Sequence, residues 1–488
     1  MVSCDADVVL KKEFTLKKIL AIILLIFGFV STVLAATNSF LQQNIPAIIN
    51  RYVAHGFVGV TVADKSTGQV IYDENGSRYF RPASNMKVFT AAAAFYQLGP
   101  NYRFHTIMSM NAKNLQNGVL HGDLYVKFVG DPSFNIHDLT NMLAMLKQRG
   151  IKQIAGNIVF DTSQFQPPNY APGWTINDMN WSYSAPITAV TLNENAVTIS
   201  FLANHTVGSS IKVMPGPYAK FISIIPEIRA ASQQEANGQC QLNMRMDQQN
   251  HFYLGGCWPA LKDNSVLQFA VANPTLWVEN ITQHLLTADG IALEGHMVTG
   301  NMPAGLTVIA DHASQPLSVL IGHMLKVSDN FYADCLLKTL GAVYYRHGDF
   351  QNGVRALQTI LSSHAHLTFD QHIMFDGSGQ SYYNFISPQQ MVKLLYQIST
   401  APFFKVFYHD LAISGVDGTI RYRMGSKHLL GKVHAKTGTF QAGGSALSGY
   451  VRVANGHTLI FSILTNNIPN VHVARQAEDA IVGVLQRV

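Results

Sequence analysis

Ser84-Asn85-Met86-Lys87 runs directly into Val88-Phe89-Thr90-Ala91-Ala92-Ala93-Ala94-Phe95-Tyr96-Gln97-Leu98-Gly99. The stretch predicts a helix opening at Ser84 and closing on Gly99, because alanine is the strongest helix former and glycine commonly follows a helix end. Ser84 and Lys87 then share one face, about one turn apart. A serine hydroxyl is a poor nucleophile at neutral pH and needs a base beside it. A lysine of ordinary pKa, about 10.4, is protonated and cannot be that base. Burial or a neighbouring cation would bring it into range. A helix N-terminus also favours the negative charge that develops during attack.

Two distant segments complete the set. Lys326-Val327-Ser328-Asp329-Asn330-Phe331-Tyr332 reads as a loop entering a helix, and Leu430 to Phe440, holding Lys436-Thr437-Gly438-Thr439, reads as a strand. Each piece alone has an ordinary explanation: an N-cap serine, a Ser-Asp-Asn capping cluster, an edge-strand lysine. In this order and in these contexts they form the S-x-x-K, S-x-N, K-T-G signature of serine acyl-transferases that react with penicillin. The expected roles follow from the chemistry. Ser84 attacks and Lys87 takes its proton, with Lys436 as the cation that depresses Lys87. Ser328 passes a proton toward the leaving amine, and Asn330 holds the substrate backbone and Lys87. Lys436 and Thr437 bind a terminal carboxylate, and Gly438 lets a substrate backbone approach. The N–H groups of Thr439 and Ser84 form an oxyanion hole. Asp329 caps a helix.

The chain resembles the low-molecular-mass, class C penicillin-binding proteins, the D-alanyl-D-alanine carboxypeptidase/endopeptidases of serine peptidase family S13 (DacB type). Further stretches carry the resemblance: Arg81-Pro82-Ala83, Gly130-Asp131-Pro132-Ser133, Ser184-Ala185-Pro186 with Leu192-Asn193, Asp376-Gly377-Ser378-Gly379, Ser414-Gly415-Val416-Asp417-Gly418-Thr419 and Ser445-Ala446-Leu447-Ser448-Gly449-Tyr450. It implies a serine D,D-peptidase acting on peptidoglycan stem peptides through an acyl-serine intermediate, binding β-lactam antibiotics and needing no metal or organic cofactor. It also implies an acidic residue facing the amine of a diaminopimelate side chain. Asp178, in Gly173-Trp174-Thr175-Ile176-Asn177-Asp178-Met179, fits that place, and a turn or helix-cap aspartate is the alternative. The chain departs from the family where an arginine often follows D-G-S-G; here stand Tyr382-Tyr383. It lacks extra glycines before Asp131, and Phe440-Gln441-Ala442-Gly443-Gly444 is an unusual sequel to K-T-G. A β-lactamase would share the three motifs, and a non-catalytic wall-binding protein could keep the scaffold.

The fold implied is α/β (α+β): a transpeptidase/β-lactamase-like domain with an antiparallel sheet flanked by helices. Helices are expected over 39–53 and 471–488, and strands at Val58–Ala63, Gln69–Tyr72, Ser445–Ala454 and His457–Thr465, the last two joined at Asn455-Gly456. That domain would be built from residues 36–96 and 311–488. Residues 97–310 exceed what a helical subdomain needs and contain short strand signals at His121–Phe128, Gln153–Phe160 and Ala196–Leu202. The resemblance makes them inserted, mostly-β domains, two of them nested.

With 488 residues, 48% of them apolar, the chain can bury a large core. A net charge of +5 without a concentrated basic run gives no case for nucleic acid. Lys11, Lys12, Lys17 and Lys18 precede an apolar run from Ile19 to Leu34, and Val33-Leu34-Ala35 offers a cleavage site. Residues 1–35 therefore read as a secretory signal peptide and the protein as periplasmic, with an uncleaved anchor as the alternative. Of four cysteines, Cys4 leaves with the leader, and Cys240 and Cys257 flank a strand–turn–strand and could pair in an oxidising compartment. Cys335 reads as a buried thiol. No cysteine spacing resembles a zinc site, and the 19 histidines are scattered.

Overall fold

The computed structural model describes residues 38–238, 240–260, 263–369, 373–440 and 443–488. The expected leader, with Cys4, lies outside them. The two ends of the chain meet in one six-stranded sheet. Its order is Ala412–Ile413, Val433–Phe440, Gly444–Arg452, Thr458–Asn466, Phe57–Asp64, Val70–Glu74, and every neighbouring pair is antiparallel. Alternation along the strands sends side chains to two cores. Val58, Val60 and Val62 join Leu459, Phe461 and Ile463 on one face, under helix 38–53 and helix Val471–Leu485. Ile460 and Leu464 point to the other face. There they meet helices Met86–Leu98, Asn330–Tyr345, Phe350–Ala365 and Pro388–Thr400. This is the period-2 pattern of a sheet covered on both sides.

Helix Met86–Leu98 is buried from Met86 through Phe95. Four consecutive alanines let neighbours pack against it from all sides, so the helix carrying Lys87 is fixed in the middle of the domain. Gly99 ends it with φ 79°. Between this helix and helix Leu317–His323 the chain builds its other sheets around a separate core. A five-stranded sheet contains His105–Met110, Leu124–Lys127, Ile158–Asp161, Met297–Thr299 and Thr307–Ala313, so strands far apart in sequence close it. Ser223–Ala231 pairs in parallel with His251–Pro259, which pairs antiparallel with Asn243–Met246. A Cys240–Cys257 disulfide staples this small sheet, while Cys335 is free and buried.

Candidate active site

Three elements converge. Ser84 sits in a single 3₁₀ turn, Ala83–Asn85, leading into helix Met86–Leu98. Ser328 and Asn330 flank the cap of helix Asn330–Tyr345, and Lys436 lies on strand Val433–Phe440. Lys87 Nζ is 2.9 Å from Ser84 Oγ, 2.6 Å from Asn330 Oδ1 and 2.8 Å from the Ser378 carbonyl. Lys436 Nζ is 2.8 Å from Ser328 Oγ and 2.8 Å from the Thr437 carbonyl. Asn85 Nδ2 joins the two halves through the Lys436 carbonyl at 3.1 Å.

Both ammonium groups are fully buried. Burial pushes Lys87 down to about 8, against the upward pull of the Asp334, Asp376 and Asp329 carboxylates. Lys436 is held well below its ordinary range by burial first and by Lys87 second. Of the two causes expected to depress Lys87, burial is the larger, and the two buried lysines repel each other. The three contacts accommodate either protonation state: an ammonium donates to all three, whereas an amine donates to Asn330 and Ser378 and keeps a lone pair for the Ser84 hydroxyl.

Backbone strain marks the same place. Ala83 has φ 47° and Ser328 φ 67°, a region L-residues seldom occupy. Such strain persists only where surrounding contacts hold it. Two glycines admit those contacts. A Cβ on Gly438 would lie 2.6 Å from the Pro82 carbonyl oxygen, and one on Gly379 would lie 1.8 Å from the Ala83 carbonyl oxygen. Gly438 thus lets the strand approach the turn that carries Ser84, a use beside the substrate approach expected of it.

Residues outside the three catalytic motifs hold the lysine's partners. Asp376 accepts from Gly379 N, Ser381 N, Asn384 Nδ2 and Trp174 Nε1 at 2.6–2.9 Å. Asp334 accepts from Gly377 N and Ser378 N. These bonds set the carbonyl of Ser378 on Lys87. Asn330 Nδ2 donates to the Tyr183 carbonyl and to Gln380 Oε1, each at 3.0 Å, and Gln380 bonds Ser184. The D-G-S-G and Ser184-Ala185-Pro186 stretches were visible in the sequence, but their hold on Lys87 and Asn330 was not.

The groove side is open. Strand Ala412–Ile413 pairs with Ala435 and His434, so among the described residues no strand lies beside the outer edge of Thr437 to Thr439. Thr437 Oγ1 bonds Thr419 Oγ1 at 2.8 Å, and Arg475 Nη2 donates to Thr439 Oγ1 at 3.0 Å. Where the arginine after D-G-S-G is missing, Arg81 lies over the Tyr382 ring, 5.6 Å from its centroid, with Nε on the Tyr382 carbonyl. Asp178 accepts from Tyr183 Oη at 2.8 Å and from Thr175 Oγ1 at 2.6 Å. It lines a cavity of about 1100 Å³ with Trp181, Tyr183 and Arg245, one residue removed from Asn330.

Residues 41–488 match the model of the D-Ala-D-Ala carboxypeptidase 3 (S13) family. The chain is 32% identical to the D-alanyl-D-alanine carboxypeptidase DacB of Haemophilus influenzae, over 91% of this chain and 93% of that one. The crystal structure of penicillin binding protein 4 (dacB) from the same organism superposes with a TM-score of 0.84 at 32% identity, covering 91% of this chain and all of the other. A second crystal structure of that protein, complexed with a β-lactam, gives a TM-score of 0.79 at 30% identity over the same coverage.

Proposed function

The chain belongs to the D-Ala-D-Ala carboxypeptidase 3 (S13) family, and on that premise we propose that Ser84 is its acyl-ester nucleophile and Lys87 the base of acylation. The protein is a serine-type D-Ala-D-Ala carboxypeptidase of the penicillin-binding class. Neutral Lys87 accepts the Ser84 proton as Oγ attacks the D-Ala carbonyl. The oxyanion turns to the N–H groups of Ser84 and Thr439. Ser328, held by Lys436, relays a proton to the departing D-alanine amine. Water then hydrolyses the ester, with Lys87 again taking the proton. Thr437, Gly438 and Thr439 present an unpaired strand edge along which an extended stem peptide lies. Asp178 receives the ammonium of a diaminopimelate side chain, an ion pair that Tyr183 and Thr175 orient.

We take residues 36–96 and 311–488 as the catalytic domain and 97–310 as the insertion. Residues 1–35 are read as a leader that delivers the enzyme to the periplasm, where peptidoglycan stem peptides and β-lactams are its partners. Among the described residues no helix is long and apolar enough to cross a membrane.

The observation that carries the reading is the 2.9 Å contact between Lys87 Nζ and Ser84 Oγ, shared with Asn330 of the second motif. A fluorescent penicillin should label the protein covalently, and Ser84→Ala should abolish the label; undiminished labelling of that variant ends the assignment. Release of D-alanine from a diacyl-Lys-D-Ala-D-Ala peptide measures carboxypeptidase action, and conversion of crosslinked muropeptides to monomers measures endopeptidase action. Rapid turnover of penicillin without a stable adduct would mark a β-lactamase instead.

A further inference from the structure

Asp329 lies between the two functional members of the S-x-N motif, and capping uses only half of its carboxylate. Oδ1 accepts from Tyr332 N at 3.2 Å. Oδ2 is 3.1 Å from His323 Nε2. The third member of this group is Glu194, from the segment before strand Ala196–Phe201. Glu194, His323 and Asp329 each offer one ligand atom, and these atoms all lie within 4.8 Å of one another. Asn193, Glu194 and Asn195 have φ of 44°, 57° and 50°, so three successive left-handed residues deliver that carboxylate. No protein hydrogen bond holds the Glu194 carboxylate among the described residues. Two carboxylates brought this close repel each other, and the exposed imidazole beside them relieves only part of this.

From this geometry we propose a divalent-cation site, of the zinc class, formed by Glu194, His323 and Asp329. One imidazole nitrogen and two carboxylate oxygens are ligand types Zn²⁺ accepts, and they leave positions for water. Glu194 also lines a cavity of about 410 Å³ with Tyr332, Asn193 and Asn135. The His323 ring is packed on Tyr332, 4.5 Å between centroids, which fixes its direction. The bound ion ties the segment around Glu194 to the loop that presents Ser328 and Asn330. It touches neither Ser84 nor either catalytic lysine, so it is a strut and not a reaction centre.

The test is titration of tag-free full-length protein with ZnCl₂ in a non-chelating buffer at pH 7.5, followed by calorimetry and by the thermal midpoint. Native protein should bind one equivalent in the micromolar range or tighter, and its midpoint should rise with Zn²⁺. Co²⁺ in place of Zn²⁺ should give a visible absorption band. Glu194→Gln and His323→Gln keep side-chain size and should each weaken binding at least tenfold, lose the band, and melt independently of Zn²⁺. Penicillin labelling of both variants in the absence of metal serves as the check that they fold. Absence of micromolar binding to native protein, or native-like binding in both variants, overturns the site.

Discussion

If neutral Lys87 is the base, acylation must follow its deprotonation. Its ammonium sits at about 8 in the folded protein. A group of that pKa is about 9% neutral at pH 7 and about 90% neutral at pH 9, so the second-order acylation rate should climb about tenfold between them and then level. A lysine in water, near 10.4, would be well under 0.1% neutral at pH 7, and its rate would still be rising tenfold per unit at pH 9. The two cases separate cleanly. The measurement is the rate of covalent labelling by a fluorescent penicillin from pH 6 to pH 10, at sub-saturating reagent, corrected for its own hydrolysis. A bend near pH 8 is expected. A flat profile, or a rise with no bend below pH 10, would refute the view that desolvation makes Lys87 a base.

Three further outcomes test the surrounding structure. Gly438→Ala places a methyl 2.6 Å from the Pro82 carbonyl oxygen; acylation should fall at least tenfold and stability by about 1–3 kcal/mol, and unchanged labelling would show that the strand can move away freely. Lys338 is fully buried and donates to the carbonyls of Gln166, Pro168 and Ile187. Lys338→Met should cost about 3 kcal/mol in urea unfolding because three acceptors lose their donor, and a loss under about 0.5 kcal/mol would contradict that accounting. Burial pushes the Asp410 carboxyl up to about 7, and its Oδ2 has no hydrogen-bond partner among the described residues. The folded chain holds this proton more tightly than the unfolded one, so the group's contribution is present at low pH and lost as pH rises from about 4 to about 7. Asp410→Asn should therefore raise the melting temperature at pH 8 and leave it unchanged at pH 4; an equal shift at both would mean that the carboxyl's charge is not what costs stability.

The parts of the site that could be read from the sequence are those whose chemistry sits in short local patterns. Helix Met86–Leu98 announces itself by alanines and its closing glycine, and strands Phe57–Asp64, Gly444–Arg452 and Thr458–Asn466 by alternation and an Asn-Gly turn. Cys240 and Cys257 were placed beside a hairpin, and they pair. What stayed hidden depends on backbone groups and on burial. The carbonyl of Ser378 against Lys87 leaves no side-chain signature; of the aspartates that aim it, Asp376 stood in the D-G-S-G stretch without a role and Asp334 looks in sequence like any other. The depression of Lys87 was expected from burial or a neighbouring cation, and that burial leads could not be read from the motif, because desolvation is a property of the packed domain. Strands of two residues, such as Gln153–Ile154, and the parallel pairing of Ser223–Ala231 with His251–Pro259 are too short or too non-local for periodicity to register.

The adjacency of strand Phe57–Asp64 to Thr458–Asn466 reaches beyond architecture. A polypeptide leaving the ribosome carries Ser84 early and the lysine facing Ser328 very late. Until residues beyond 466 have emerged, the first strand has no neighbour on that side, and Ser84 faces no K-T-G strand. On the proposed roles the half-made protein lacks the machinery for acylation, and its exposed early strand is where a holding chaperone would be needed most.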